Sequence, residues 1–471
     1  LKGEFPLEKV GMKSDFKGAR FSVPYEIAAV RPLRQTTLEE REKALKAAYY
    51  NTELISQEMV YVDLKTDSGV SALSVSQAND VAGRGALEAH PEMTPEAHAG
   101  LASLSKQFQQ IFGFPYVVPV TQGRAAERIW TKIHMREGAV VPGNMLFPST
   151  RFHIESNGGK VIDVISDKAY DLFSEDPFKG NLDLKKLRKL LKEHGPQRIP
   201  CVYVELCVNS SGGHPVSMGN LREIKRMIEP QGIPLFLDAS RILENSYFIQ
   251  GREKAYESRS IAEIVREICS YADGCTLSAL KDFPVREGGF IATRDEKSFH
   301  KAYFQSFLDG AQPFSSALES LSIALREIFQ GDRYVASRVK QTQYLWRNLA
   351  EKGIAVLRPE AGHAVFIDVK SLLPEIPSEH HPAEALAAFI YSVSGVRITK
   401  GPPLTREQTA RGIELLRLAL PARRYLQGHL DDVAEAVLCA LAHRDEIKGL
   451  RQIEKPGRSK YEPPLFVPIG K

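Results

Sequence analysis

Between about residue 115 and residue 295 short apolar runs alternate with helical patterns, and this alternation limits the fold more than any other feature of the chain. "PYVVPV" leads into a QGR turn and "AAERIWTKI"; "GNMLF" precedes "PSTRFHIESNGG"; "VIDVI", "PCVYVEL" and "IPLFLDA" follow with polar or helical connections. In the segment Asn220 to Glu229, Leu221, Ile224 and Ile228 recur on one helical face while Arg222, Lys225 and Arg226 fall elsewhere, the pattern of a crossover helix. Strands separated by helices at this spacing predict a largely parallel sheet covered on both faces. The fold class expected is α/β, with a large, mostly parallel-sheet domain over 61–330.

The flanks predict a second, smaller α/β domain built from both chain ends. Residues 1–60 are charged and helix-rich around "TLEEREKALKAAYY". Over 331–471, "YVASRVKQTQYLWRNLAEKG" reads as a long helix, "GHAVFIDV" as a strand, "AEALAAFIYSVSG" as a helix, "LLRLALP" as a strand and "HLDDVAEAVLCALAHRDEI" as a last helix. With 471 residues, 43% of them hydrophobic, there is material for two cores.

Composition narrows the function. A net charge of +4, with no concentrated basic patch, argues against nucleic acid as a partner, and no apolar run approaches the roughly 20 residues that span a bilayer. The five cysteines form no CxxC pair and have no His at metal-ligand spacing, so neither a disulfide framework nor a metal site is expected. A reducing, cytoplasmic setting fits best. The N-terminal stretch lacks a signal-peptide core, while the start at Leu1 leaves a removed leader open.

In open α/β sheets ligands gather at the carboxyl ends of the strands. There the sequence places Asp238 and Arg241 after "PLFLDASR", Asn209 after "VYVELCVN", the turn Gln122, Gly123 and Arg124 after "VVPVTQGR", and Lys281 after "GCTLSAL". Each has an ordinary reading: Asp238 as a turn cap, Asn209 as a turn former, the QGR turn as a plain helix start, Lys281 as a solvated cation. Together they form a more specific set. A helix-start anion cup, an acid at a strand end, a planar aromatic and a downstream lysine are what pyridoxal phosphate requires.

The chain resembles the β-eliminating lyases of the tryptophan indole-lyase and tyrosine phenol-lyase type, within the aspartate-aminotransferase-like fold (fold type I). The resemblance rests on "YVDLKTDSG", "FGFPYVVPVTQGRAAE", "PGNMLFPSTRFH", "FKGNLDLKKL", "NSSGGHPVSM", "FLDASRILENSYFI", "SIAEIVREICSYADGCTLSALKD", "GGHAVFID" and "YEPP", from about Pro24 to about Pro463. It implies that Lys281 carries the cofactor as a Schiff base and moves the substrate's α-proton. Asp238 would pair with the pyridine nitrogen, and Gln122, Gly123, Arg124 and Ser278 would hold the phosphate. Phe147 would stack on the ring, with a core aromatic as its ordinary alternative, and Asn209 and Arg241 would bond the phenolic oxygen. Arg417 in "LLRLALP" would take the substrate carboxylate, helped by Ser68 and Asn209; a structural ion pair is the alternative for this arginine.

The sequence departs from the family on the leaving-group side. Where the family has a tyrosine that protonates the leaving group, in a GDEAY-like segment, this chain reads "AGRGALEAHPEM", which makes Glu88 and His90 candidate general acids or plain surface residues. The family's carboxylate for a monovalent cation corresponds to Ala86 and its asparagine partner to Arg286, so that a guanidinium replaces the cation. Leu280 stands before Lys281 in place of a lysine, Pro148 follows Phe147 in place of a hydroxyl residue, and the loop "ITKGPPLTREQ" differs from the phenol and indole versions. These differences predict elimination of a β-substituent from an L-amino acid that is neither tyrosine nor tryptophan. The alternatives are β-replacement, γ-elimination or aldol-type cleavage on the same cofactor, or a non-catalytic sensor. The resemblance also implies a homodimer or homotetramer.

Overall fold

The structure, a computed structural model, describes residues 23–83, 95–459 and 462–470. Seven strands form the main sheet: β1 (Tyr116–Val120), β2 (Ala139–Gly143), β3 (Gly159–Asp163), β4 (Val202–Glu205), β5 (Leu235–Asp238), β6 (Gly274–Ser278) and β7 (Gly289–Thr293). Their order is β1-β7-β6-β5-β4-β2-β3, and every pairing is parallel except those of β7 with β1 and β6. β2, β4, β5, β6 and β7 are buried along their whole length, as a sheet covered on both faces requires.

Helices supply the cover. The helix Gly123–His134 sends Ala126, Ile129 and Trp130 into one apolar cluster, with Val118, Val141 and Tyr203 from the sheet. On the other face Leu221, Ile224 and Ile228 of the helix Met218–Ile228 join Ile264 and Ile268 of the helix Ile261–Tyr271. Each such side chain gains roughly 1.5–3 kcal/mol from burial. The helix Met218–Ile228 starts where Ser217 Oγ accepts the Asn220 N–H at 3.0 Å, a cap worth about 1 kcal/mol.

A second sheet, in the order β8-β10-β9, comprises β8 (Ala364–Asp368), β9 (Thr399–Lys400) and β10 (Leu415–Ala419). Its cluster unites Val62 and Leu64 with Leu345, Ile367, Leu386, Leu416 and Val433, so residues early in the chain pack with late ones. The helices Leu38–Ala47, Arg333–Glu351, Pro382–Ser394 and Gln427–Ala442 lie where the sequence patterns place them.

One local expectation changes. The strand before Phe147 is "AVVPG", Ala139–Gly143, and the rest of "GNMLF" forms the turn after it, with Met145 at φ +67°. A Pro and a Gly had hidden a strand that is fully buried. Beyond the expected elements, the C-terminal region contains a hairpin, β11 (Leu450–Ile453) paired with β12 (Leu465–Pro468). Among the described residues no helix is long and apolar enough to cross a membrane, and no group of His, Cys, Asp and Glu is arranged to hold a metal ion. All five cysteines are free.

Candidate active site

The carboxyl ends of β1, β4, β5 and β6 open on one edge of the sheet and deliver most of the expected residues there. After β1, Gln122 caps the helix Gly123–His134. The first amides of a helix have no partner within it and favour an anion. Gly123 lies so close to Ser278 that a Cβ at position 123 would come within 2.5 Å of the Ser278 Cβ. Glycine here lets the serine hydroxyl and the helix start face the same space, while Gln122 and Arg124 extend into solvent beside it.

After β6 the chain turns at Ser278 into the short helix Ala279–Asp282, which carries Lys281. Lys281 Nζ stands 5.1 Å from the centre of the Phe147 ring. Burial and the Arg241 guanidinium push the Lys281 ammonium below the ordinary lysine value, against the opposing pull of Asp67, Asp238 and Glu127. Among the described residues its Nζ has no hydrogen-bond partner. A lysine so placed is available as a nucleophile and a base.

Asp238 ends β5 and is buried, with Oδ1 accepting the Ser240 N–H at 2.9 Å. Two further buried carboxylates face the same region: Glu205 at the end of β4 and Glu127 in the helix after β1. Glu205 is pushed up to about 8 by burial and by Asp238. Glu127 is raised by burial and by Asp238, although Ser149 Oγ donates to its Oε2 at 2.6 Å. Sequence reasoning missed both, though the charged end of the run "VYVE" was a visible signal for Glu205.

A buried ionic chain ties this edge to the second sheet. Arg241 donates to both oxygens of Asp67 at 2.8 and 3.1 Å, and Arg338 bridges Asp67 and Asp282 at 3.0 and 2.8 Å. Asp67 is held far below the ordinary carboxylate range by these guanidiniums despite its burial. Glu244 accepts from His363 Nδ1 at 2.9 Å, and His363 Nε2 lies 3.3 Å from Asn209 Oδ1. Arg241, expected at a phenolic oxygen, therefore gives two N–H groups to Asp67. Ser68 lies next to Asp67, where its N–H donates to Thr66 Oγ1 at 3.1 Å and the following Gly69 N–H donates to the Leu280 carbonyl at 3.0 Å.

Arg417, in the middle of β10, donates to the Lys65 carbonyl at 3.1 Å and reaches Asn209 Oδ1 at 3.5 Å. It makes no ion pair among the described residues, and its Nε is buried without a partner. Asn209 Nδ2 is likewise buried and unpaired. Unpaired buried donors of this kind cost about 1–3 kcal/mol each. Two of them, one on the guanidinium itself and one on the neighbouring amide, make a ready receptor for a carboxylate.

Arg286, expected on the leaving-group side, donates from Nη1 to the Gly69 carbonyl at 2.7 Å. Burial and the nearby Arg424 lower its pKa. Ala86, Glu88 and His90 lie outside the described residues.

This donor set suits pyridoxal phosphate: an anion cup at Gly123 and Ser278, a desolvated lysine beside an aromatic face, and acids at the far end. The sequence pattern described as beta-eliminating lyase matches residues 63–436. The tyrosine phenol-lyase of Symbiobacterium thermophilum is 42% identical over 462 residues, covering 95% of this chain and 98% of the relative. That of Pasteurella multocida is 40% identical over 460 residues, covering 94% and 98%. Among solved structures, a serine palmitoyltransferase from S. paucimobilis with a bound PLP–myriocin aldimine superposes with a TM-score of 0.59 at 12% identity, covering 81% of this chain and 87% of that one. That likeness is one of fold, the fold type I of pyridoxal-phosphate enzymes. The chain belongs to the β-eliminating lyase family and is a pyridoxal-phosphate-dependent lyase.

Proposed function

We propose that the enzyme converts an L-amino acid bearing a β-leaving group, with water, into pyruvate, ammonia and the protonated leaving group, and that its substrate is neither tyrosine nor tryptophan. The observation that carries this reading is Arg417, which has no ion pair among the described residues and whose orphaned Nε, with the orphaned Asn209 Nδ2, leaves two buried donors for a substrate carboxylate. When bound, the cofactor supplies an electron-withdrawing ring that accepts the electron pair left by the α-proton.

The chain's residues do the rest. Gly123, Ser278, Gln122 and Arg124 would hold the phosphate, Phe147 would stack on the ring, and Asp238 would pair with the ring nitrogen and keep it protonated. Asn209 and Arg241 would bond the ring's oxygen substituent. Arg417, with Ser68 and Asn209, fixes the substrate carboxylate and so aims the α-hydrogen at Lys281. Lys281 would take that proton as a neutral amine, which its lowered pKa favours. Glu88 or His90 delivers a proton to the departing group.

The leaving-group side supports a substrate different from that of the tyrosine phenol-lyases. Leu280 presses on the Gly69 backbone, since a Cβ at position 69 would meet Leu280 Cδ2 at 2.9 Å, and Arg286 grips the Gly69 carbonyl where the family seats a cation. The exposed Phe304, Phe307, Leu308 and Phe314 support self-association into a dimer or tetramer.

The test is a panel of β-substituted L-amino acids, tyrosine and tryptophan included, followed in D2O for α-deuteration and pyruvate. Pyruvate from a third amino acid at a higher kcat/KM is the expected result. Tyrosine as the best substrate would refute the specificity claim, and deuteration without pyruvate across the panel would refute elimination.

A further inference from the structure

Glu205 closes the otherwise apolar strand β4, and the strand register makes it the Cα partner of Asp238 in β5. Partners on neighbouring parallel strands lie about 4.8 Å apart and project from the same face of the sheet. Both side chains are buried, at 5% and 6% exposure. Glu205 is also held rigidly. Asn144 Oδ1 accepts its N–H at 2.8 Å and Asn144 Nδ2 donates to its carbonyl at 2.9 Å. Glu205 Oε1 accepts the Asn209 N–H at 2.9 Å, whereas Oε2 is buried without a partner.

Two carboxylates side by side away from water do not both keep their charge, and such a pair titrates as a unit. Burial and Asp238 raise Glu205, while the Asn209 N–H, Lys281 and the Phe147 N–H pull the other way. Among the described residues Glu127, from the helix after β1, also faces Asp238, as do the buried Tyr203 hydroxyl and Cys275 thiol, both of which burial and Asp238 push up.

We propose that Glu205 is a proton-carrying positioning residue of the cofactor pocket, which keeps a proton beside Asp238 and holds the turn that presents Asn209. The proposal rests on the reading above, in which Asp238 meets the ring nitrogen and Asn209 the ring oxygen. With the proton on Glu205 Oε2, Glu205 places no second charge beside Asp238. As the pH rises, that proton leaves to solvent and Glu205 becomes negative.

The test compares wild type, Glu205→Gln and Glu205→Asp, with two readouts besides activity. The first is the visible absorption of the bound cofactor as a function of pH. The wild type is expected to show a step above the ordinary glutamate range, Gln to lack it while still binding cofactor, and Asp to retain it at a shifted pH. The second is denaturant stability of the cofactor-free chain. A carboxyl whose folded pKa lies above its unfolded value of 4.5 keeps an extra proton in the native state, so its contribution to stability falls as pH rises from about 4.5 to about 8. Wild type should lose stability relative to Gln across that window and hold a constant difference on either side.

Identical titrations in wild type and Gln would overturn the proposal. Should Gln fail to fold, an unmoved step in the Asp variant would overturn it equally. Borohydride reduction and peptide mapping separate the two readings: cofactor found on a residue other than Lys281 refutes the pocket assignment, whereas cofactor on Lys281 with unchanged titrations refutes only the role of Glu205.

Discussion

Arg397 and Arg417 lie beside and within the same small sheet, yet their surroundings differ in kind. Arg397, at 1% exposure, binds both Asp63 oxygens at 3.0 and 2.6 Å, the Gln57 side chain at 2.6 Å and the Ile55 carbonyl at 2.6 Å. Arg417 has a carbonyl, a long contact to Asn209 and an orphaned Nε. The lysines repeat the contrast. Lys179 is buried with its Nζ on the carbonyls of Asp171 and Arg358 at 2.6 and 2.5 Å, whereas Lys281 has no such bonds among the described residues. Burial depresses both lysines, so a lowered pKa does not mark the reactive one. The informative difference is whether the protein itself satisfies the cation. Buried groups that the protein leaves unsatisfied remain available to a ligand.

Substitution at the two arginines sharpens the comparison. Arg397→Met strands Asp63 as a buried unpaired charge and should cost about 3–5 kcal/mol in denaturant unfolding, with little change in kcat/KM of the folded fraction. Arg417→Ala should do the reverse: stability within about 1 kcal/mol of wild type, but a fall in kcat/KM of about 100- to 1000-fold from the loss of charge-assisted bonds to the substrate carboxylate. A large stability loss at Arg417 with activity retained would show it to be structural. The smallest expected effect is on the leaving-group side. Because the Arg286 guanidinium already occupies the Gly69 carbonyl, adding potassium to dialysed enzyme should leave kcat unchanged within error. A strong potassium requirement would contradict that role.

Much of this contrast was legible in the sequence, because strand-end positions follow from local patterns. "IPLFLDA" fixes where Asp238 emerges, "GCTLSALK" where Lys281 does, and an arginine inside "LLRLAL" already asks for a partner. Pairings between distant segments leave no such trace. Asp67 and Arg241 are 174 positions apart, and Arg338 and Asp67 are 271 apart. Nothing local in "KTDSG" announces that its aspartate anchors two arginines. The proximity of Glu205 to Asp238 likewise depends on β4 and β5 becoming neighbours, which the sheet order determines. "GNMLF" misled for a different reason: its apolar content belongs to a buried turn, and burial alone does not distinguish a turn from a strand.

The account depends above all on Lys281 being the lysine that joins the cofactor. Borohydride reduction of the holoenzyme, digestion and mass-spectrometric mapping test this directly. The cofactor mass on the peptide containing Lys281, and its absence from the Lys281→Ala variant, is the predicted result. Label on the peptide containing Lys179, or label that persists in Lys281→Ala, would contradict the assignment.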